Sequence, residues 1–222
     1  MHTQIKNLEA VKTKISEVLN KNQFKKYNPQ IVAVSKTFSE TDIIPLAQHG
    51  HVHFGENKVQ EAEKKWRDIK LKFNHVKLHM VGQLQTNKVK KAVELFDFIH
   101  SLDSIKLADK ICHFENIINK KTKLFIQVNL GNENQKAGVP PKELDNFYEY
   151  CATKLSLNII GLMCLPPYDE NSNKYFETLK KLSDKLSLNE LSMGMSNDYL
   201  NAINYKATYL RIGTSIFGTR QN

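Results

Sequence analysis

Ile31-Val32-Ala33-Val34-Ser35-Lys36-Thr37 decides the fold: four apolar residues, three of them β-branched, run without alternation into a serine and a lysine. So short and continuous an apolar run reads as a strand buried on both faces. Runs of the same kind recur at Val52–Gly55, Leu78–Val81, Phe96–His100, Leu124–Asn129, Asn158–Met163, Glu190–Met193 and Thr208–Ile212, which with Ile31–Ser35 makes eight. Helical patterns separate them, opening at Ser39-Glu40-Thr41-Asp42, at Thr86-Asn87-Lys88, at Ser104, at Pro140-Pro141 ahead of Lys142–Lys154, and over Asn171–Leu186. An extra helix, Asn7–Leu19, precedes the first strand. Strand and helix alternating at a pitch of about 25 residues imply a parallel sheet. Eight such units in about 190 residues favour closure into a (β/α)₈ barrel over an open doubly wound sheet. No linker, low-complexity tract or composition break interrupts the 222 residues, so one domain over 1–222 is expected.

Composition narrows the function classes. No stretch reaches the roughly 18–20 consecutive apolar residues of a membrane span. Met1-His2-Thr3-Gln4-Ile5-Lys6-Asn7 lacks the basic-then-apolar layout of a secretory signal, so a cytoplasmic protein is expected. Cys112, Cys151 and Cys164 are far apart and odd in number, which argues against a disulfide framework or a zinc knuckle. The net charge of +9 raises nucleic acid as a partner. Yet arginine occurs only at Arg67, Arg211 and Arg220, and the rest of the excess is lysine spread along helix faces. That pattern reads as a solvated surface, and no nucleic-acid partner is expected. The same scarcity makes Arg211, inside an apolar strand, look chemically chosen.

A barrel places its site at the carboxyl ends of the strands, and the polar oddities of this chain follow its apolar runs. Lys36 closes the first. A lysine above apolar neighbours is partly desolvated, its pKa falls, and the free amine can form an imine with an aldehyde; the alternative is a lysine that reaches into solvent. Ser192-Met193-Gly194-Met195-Ser196-Asn197-Asp198 follows the seventh run and Arg211-Ile212-Gly213-Thr214-Ser215-Ile216-Phe217-Gly218 the eighth. Barrels commonly hold a phosphate between these two loops, where small residues admit the ligand and N–H and hydroxyl groups donate to it. Either cluster taken singly also suits an ordinary turn. Ser196 stands where a helix starts and could both cap it and touch a phosphate. An imine-forming lysine beside a phosphate cradle points to pyridoxal 5′-phosphate (PLP), with the Arg211 guanidinium facing the pyridine nitrogen or, alternatively, paired with a buried carboxylate. Asn57 could bond the ring hydroxyl or Lys36; equally, Glu56 and Asn57 could be a first-turn acid and a helix cap. The polar loop Asn129–Gly138 brings Glu133 and Lys136 near the mouth. His49, His51 and His53 alternate as strand neighbours do, but Gly50 interrupts them and no partner cluster accompanies them, so no metal site is expected.

Together these segments resemble the PLP homeostasis protein family, which is related to the barrel domain of alanine racemase. The resemblance runs from about Ile31 to Arg220. It rests on Ala33-Val34-Ser35-Lys36-Thr37, Phe54-Gly55-Glu56-Asn57 with Val59-Gln60-Glu61, Gly82-Gln83-Leu84-Gln85-Thr86-Asn87-Lys88, Gly161-Leu162-Met163, Ser192-Met193-Gly194-Met195-Ser196 and Arg211-Ile212-Gly213-Thr214. It implies a Schiff base on Lys36, Arg211 at the ring nitrogen, and Ser196, Gly213 and Thr214 on the phosphate. Asn57 and Met195 complete the candidate cofactor set. Three positions depart from the family pattern: Ala137 where Lys-Ser-Gly is usual, Leu200 where an acidic residue is common, and Lys206 where glycine is usual.

The resemblance implies a carrier and buffer of PLP in vitamin B6 and amino-acid homeostasis, without an established reaction. Its partners would be PLP, amino acids and PLP-dependent apoenzymes. The competing class is a racemase-like PLP enzyme. Racemisation needs an acid/base group on each face of the carbanion, and Lys36 supplies only one. Related racemases complete their site with a second domain and a partner chain; with Gly218 four residues from the end, no such domain is expected here, and a monomer is.

Overall fold

In the computed structural model, which describes residues 2–24, 26–131, 137–167 and 171–219, eight parallel strands close into a barrel in sequence order. They are β1 (Gln30–Val34), β2 (His53–Glu56), β3 (Lys77–Met80), β4 (Phe98–Leu102), β5 (Lys123–Gln127), β6 (Ile159–Met163), β7 (Glu190–Met195) and β8 (Tyr209–Ile212). β8 pairs with β1 through Val32 opposite Arg211 and Ala33 opposite Ile212, which shuts the barrel. Each expected strand is present, with ends that differ from those expected by two residues at most. The shift matters at β1: it stops at Val34, so Lys36 stands two residues past the strand, in a turn where Thr37 takes a left-handed φ of 69°.

The helices are α1 (Thr3–Lys21), α2 (Glu40–Gln48), α3 (Val59–Lys72), α4 (Val89–Leu95), α5 (Ile105–Ile118), α6 (Leu144–Glu149), α7 (Asn173–Lys185), α8 (Tyr199–Asn204) and the short α9 (Thr214–Phe217). Apolar residues at helical spacing, such as Leu8, Val11 and Ile15 on α1, turn one face of each long helix onto the sheet. α1 extends beyond the expected Asn7–Leu19 and lies against α8 and α9, where the Asn7 side chain donates to the Ile216 carbonyl at 2.9 Å. The stretch expected as one helix over Lys142–Lys154 is instead a 3₁₀ turn at Pro141–Glu143, then α6, then a π-helical segment, Tyr150–Lys154.

Two cores result. The larger lies between sheet and helices, around Trp66, Phe54, Phe96 and Phe176. The smaller fills the barrel with Val32, Val34, Phe98, Phe125, Met163 and Tyr209. Alternation along the strands sends His53, His79, His100 and Arg211 into this second core among aromatic rings: His79 stacks on Phe98 at 4.1 Å and His100 on Phe125 at 4.3 Å.

Candidate functional site

The parallel closed order puts the carboxyl ends of all eight strands at one mouth. β7, β8, β1 and β2 are consecutive neighbours there, so Met195 and Ser196, Arg211 with Gly213 and Thr214, Lys36, and Asn57 occupy one half of the mouth. Met195 lies opposite Arg211 in the β7–β8 register and is exposed, as is Leu165 after β6, giving the mouth an apolar rim.

Arg211 is the most constrained member. It is buried, and its guanidinium donates to Ser192 Oγ at 2.5 Å and to the Cys164 carbonyl at 2.9 Å. No carboxylate forms an ion pair with it among the described residues, which removes the reading of Arg211 as half of a buried pair. Burial lowers its pKa, yet guanidinium titrates so high that it remains a permanent donor at neutral pH.

Ser196 does not cap α8, whose N-cap position belongs to Asp198. The Asp198 carboxylate instead accepts the Met195 N–H at 2.6 Å, which shapes the loop after β7. The Ser196 hydroxyl accepts the Ser215 N–H at 3.3 Å and so joins that loop to the first turn of α9. Gly194 needs its lack of a side chain: at φ 88° an added Cβ would lie 2.7 Å from that of Ala202. Gly213 is different. Its φ is −107°, and an added Cβ would meet only Val34 O at 3.4 Å and Val34 Cβ at 3.7 Å. Neither the backbone nor packing demands glycine there, which is what a cradle kept open for an approaching phosphate requires.

Asn57 is half-buried, and Lys58, not Asn57, holds the N-cap position of α3. Its Oδ1 is shut off from solvent with no hydrogen-bond partner, an acceptor left for a ligand to satisfy. Gly82 comes so near that an added Cβ would lie 2.4 Å from the Asn57 carbonyl. The orphaned acceptor, the open glycine and the permanent guanidinium fit a phosphorylated, ring-bearing aldehyde.

Glu56 is no first-turn acid. It is wholly buried; its Oε1 accepts from Ser35 Oγ at 2.8 Å and from Trp66 Nε1 at 3.0 Å, and pairs as an ion with Lys65 Nζ at 2.8 Å. Lys65 also donates to the Ser35 carbonyl at 3.1 Å, to the Phe38 carbonyl at 3.2 Å and to Glu61 at 2.9 Å, while Glu61 takes the Thr37 N–H at 2.6 Å. The turn bearing Lys36 is thus clamped from α3. Sequence reading missed Lys65 because nothing in its surroundings separates it from the surface lysines.

The three sequence-adjacent histidines do not converge. His49 pairs with Glu9 on the surface and His51 bonds the His53 carbonyl, whereas His53 Nδ1 meets His79 Nε2 at 2.9 Å. That contact continues: His79 Nδ1 to His100 Nε2 at 2.9 Å, and His100 Nδ1 to Ser192 Oγ at 2.7 Å. Burial lowers the pKa of His51 and His53 to about 4 and those of His79 and His100 well below the usual imidazole value. Glu133 and Lys136 lie outside the described residues; of their loop, Ala137 accepts from Gln127 Nε2 at 2.9 Å and Val139 bridges Val128. Lys206 takes a left-handed φ of 63°, a conformation glycine adopts without strain, and sets its ammonium over Phe24 and Tyr27.

A cleft of about 550 Å³ adjoins the phosphate loops from the α1 side, walled by Asn7, Lys14, Ser196, Asp198 and Ser215 among others. It does not contain Lys36 or Arg211, so the mouth defined by the strand ends, not this cleft, is the candidate site.

The alanine racemase, N-terminal domain family matches residues 7–221. A pyridoxal phosphate homeostasis protein of Aquifex aeolicus is 40% identical over 203 residues, 86% of this chain and 87% of that one. One of Pasteurella multocida is 33% identical over 96% of both chains. PipY of Synechococcus elongatus, solved with PLP bound, superposes with a TM-score of 0.80 at 33% identity, covering 92% of this chain and all of that one. An alanine racemase of Clostridium difficile shares the fold, with a TM-score of 0.72 at 14% identity over 57% of its own length. A closed eight-stranded barrel, the site-bearing motifs at its mouth and these likenesses over nearly the whole sequence place the chain in the pyridoxal phosphate homeostasis protein family, within the wider alanine racemase N-terminal-domain family.

Proposed function

We propose that this protein binds PLP reversibly and buffers it in vitamin B6 and amino-acid homeostasis, with the cofactor held as an imine on Lys36. Asn57 satisfies its orphaned acceptor on the ring substituents, and Met195 covers an edge. Ser196, Gly213 and Thr214 take the phosphate, and Arg211 meets the ring nitrogen. The observation that carries this reading is the buried Arg211, free of carboxylate pairing among the described residues, on the strand next to the one that leads into Lys36.

When bound, PLP supplies an aldehyde for exchange with amines and a ring that can accept carbanion charge. Arginine at the ring nitrogen, already charged and unable to give up its proton, keeps that nitrogen unprotonated and weakens the ring as an electron sink. Such a site favours holding and handing over PLP above amino-acid turnover. The partners in exchange are amino acids and PLP-dependent apoenzymes, and the working form is a monomer built as one domain. The free thiols Cys112, Cys151 and Cys164 suit the reducing cytoplasm.

The test is a visible absorption spectrum before and after borohydride, on wild type and Lys36→Ala. A band bleached by borohydride and missing from Lys36→Ala is expected. A wild type that stays colourless with added PLP overturns the reading, and turnover of an amino acid at ordinary enzyme rates overturns the carrier assignment in favour of a racemase-like enzyme.

A further inference from the structure

We propose that His53, His79, His100 and Ser192 form a one-way hydrogen-bonded chain that positions the Arg211 guanidinium, with every imidazole held as its Nε2–H tautomer. The inference rests on the proposed PLP site for its consequence, but not for its geometry.

The direction follows from counting protons. Arg211 can only donate, and it donates to Ser192 Oγ at 2.5 Å. The other partner of that hydroxyl is His100 Nδ1 at 2.7 Å. The hydroxyl has one proton, and His100 Nδ1 is the acceptor within reach, so Ser192 donates and Nδ1 carries no hydrogen. A neutral His100 must then bear its proton on Nε2, which faces His79 Nδ1 at 2.9 Å. By the same step His79 donates from Nε2 to His53 Nδ1, again at 2.9 Å, and His53 is left with its N–H on Nε2. Running the chain the other way would make Ser192 accept from both Arg211 and His100 and strand its own proton in a dry interior. The fixed charge at one end thus orders three rings in turn.

The chain crosses the barrel. His53 is the first residue of β2, beside Lys77 in register and under the influence of Lys123, at the end of the barrel opposite the cofactor mouth. His79 and His100 are fully enclosed, and ring packing against Phe98, Phe125 and Tyr209 leaves them little freedom to turn. Imidazoles are needed here because an aromatic core has no other way to present a donor and an acceptor at opposite edges of one flat ring. Ser192 and His100 are therefore positioning residues for Arg211, and His79 and His53 lock the orientation of His100.

The test has two arms. Long-range proton–nitrogen spectra of the protein without PLP, labelled on histidine nitrogen, should show Nε2–H tautomers at His53, His79 and His100. An Nδ1–H form at His79 overturns the chain. In His53→Phe, which keeps an aromatic ring between Phe98 and Tyr209, His79 and His100 should both keep the Nε2–H form, because the order is set from Arg211; a switch of either ring to Nδ1–H overturns the proposal. On the PLP-loaded protein, Ser192→Ala should release PLP about tenfold faster or more, as loss of a hydrogen bond to a charged group implies, and Ser192→Thr should restore the wild-type rate. Equal release from wild type and Ser192→Ala overturns the positioning role. Should the protein never take up PLP, the proposed function fails while the tautomer arm still decides the chain.

Discussion

The ammonium of Lys65 on α3 lies 2.8 Å from Oε1 of Glu56, a carboxylate wholly shut off from solvent at the end of β2. The same ammonium reaches the carbonyls of Ser35 and Phe38, on either side of Lys36 and Thr37. One cation therefore neutralises a buried charge and holds the turn that presents the candidate cofactor lysine.

Removing it should be costly. Lys65→Met strands the Glu56 carboxylate in an apolar setting and is expected to lower stability by about 3–5 kcal/mol. Adding Glu56→Gln should recover part of that loss, since the charge is gone while Ser35 and Trp66 keep a partner. Urea denaturation of the single and double variants measures both, and a double variant no more stable than Lys65→Met would show that the charge is not the cause.

Gly82→Ala should act at the site as well as on the fold. The new Cβ would lie 2.4 Å from the Asn57 carbonyl and 2.8 Å from its Cα, so backbone must move. We expect a loss of about 1–3 kcal/mol from the forced displacement and weaker PLP binding because Asn57 shifts with it. PLP titration followed at the absorbance of the bound form checks the second effect.

Acid should destabilise the fold before most carboxylates titrate. Burial holds His51 and His53 at about 4 and lowers His79 and His100 further, whereas the unfolded chain binds those protons near the ordinary imidazole value. Between about pH 6.5 and pH 4 the unfolded state carries more protons, so stability is full above this window and falls as pH drops through it, each such histidine adding up to about 1.4 kcal/mol per pH unit. Thermal melts across this range should show the decline, and His53→Phe should flatten it.

Thiol labelling should separate the cysteines. Cys151 and Cys164 are buried and their pKa values are pushed up to about 12, chiefly by burial, so little thiolate forms at pH 8. Cys112 is only partly covered. A disulfide reagent should modify one thiol of three in the native protein and all three in denaturant; fast reaction at Cys164 would mean that the strand end beneath Arg211 opens readily.

The barrel and the end at which its candidate site stands were legible along the chain. Eight short unalternated apolar runs can be buried on both faces in little else, and strand polarity then dictates the end at which Lys36, Asn57, Ser196 and Arg211 stand. Cap details were not. Ser196 and Asn57 have the side chains of helix caps, but Asp198 and Lys58 hold those positions, because the start of a helix depends on where the preceding strand lets go.

Sequence by itself determined the fold class, the mouth-facing candidates and the oddity of one arginine in an apolar strand, because periodicity and residue type are local properties. Tertiary structure alone decided which oddities meet. His79, His100 and Ser192 come from three strands, and only barrel closure turns them inward in contact with one another and with Arg211. Lys65, one lysine among many along the chain, becomes the clamp on the Lys36 turn only when α3 packs over the ends of β1 and β2. Hydrogen bonds between residues far apart in sequence depend on the packing geometry that brings their atoms within 3 Å or so of one another, and no spacing along the chain encodes that.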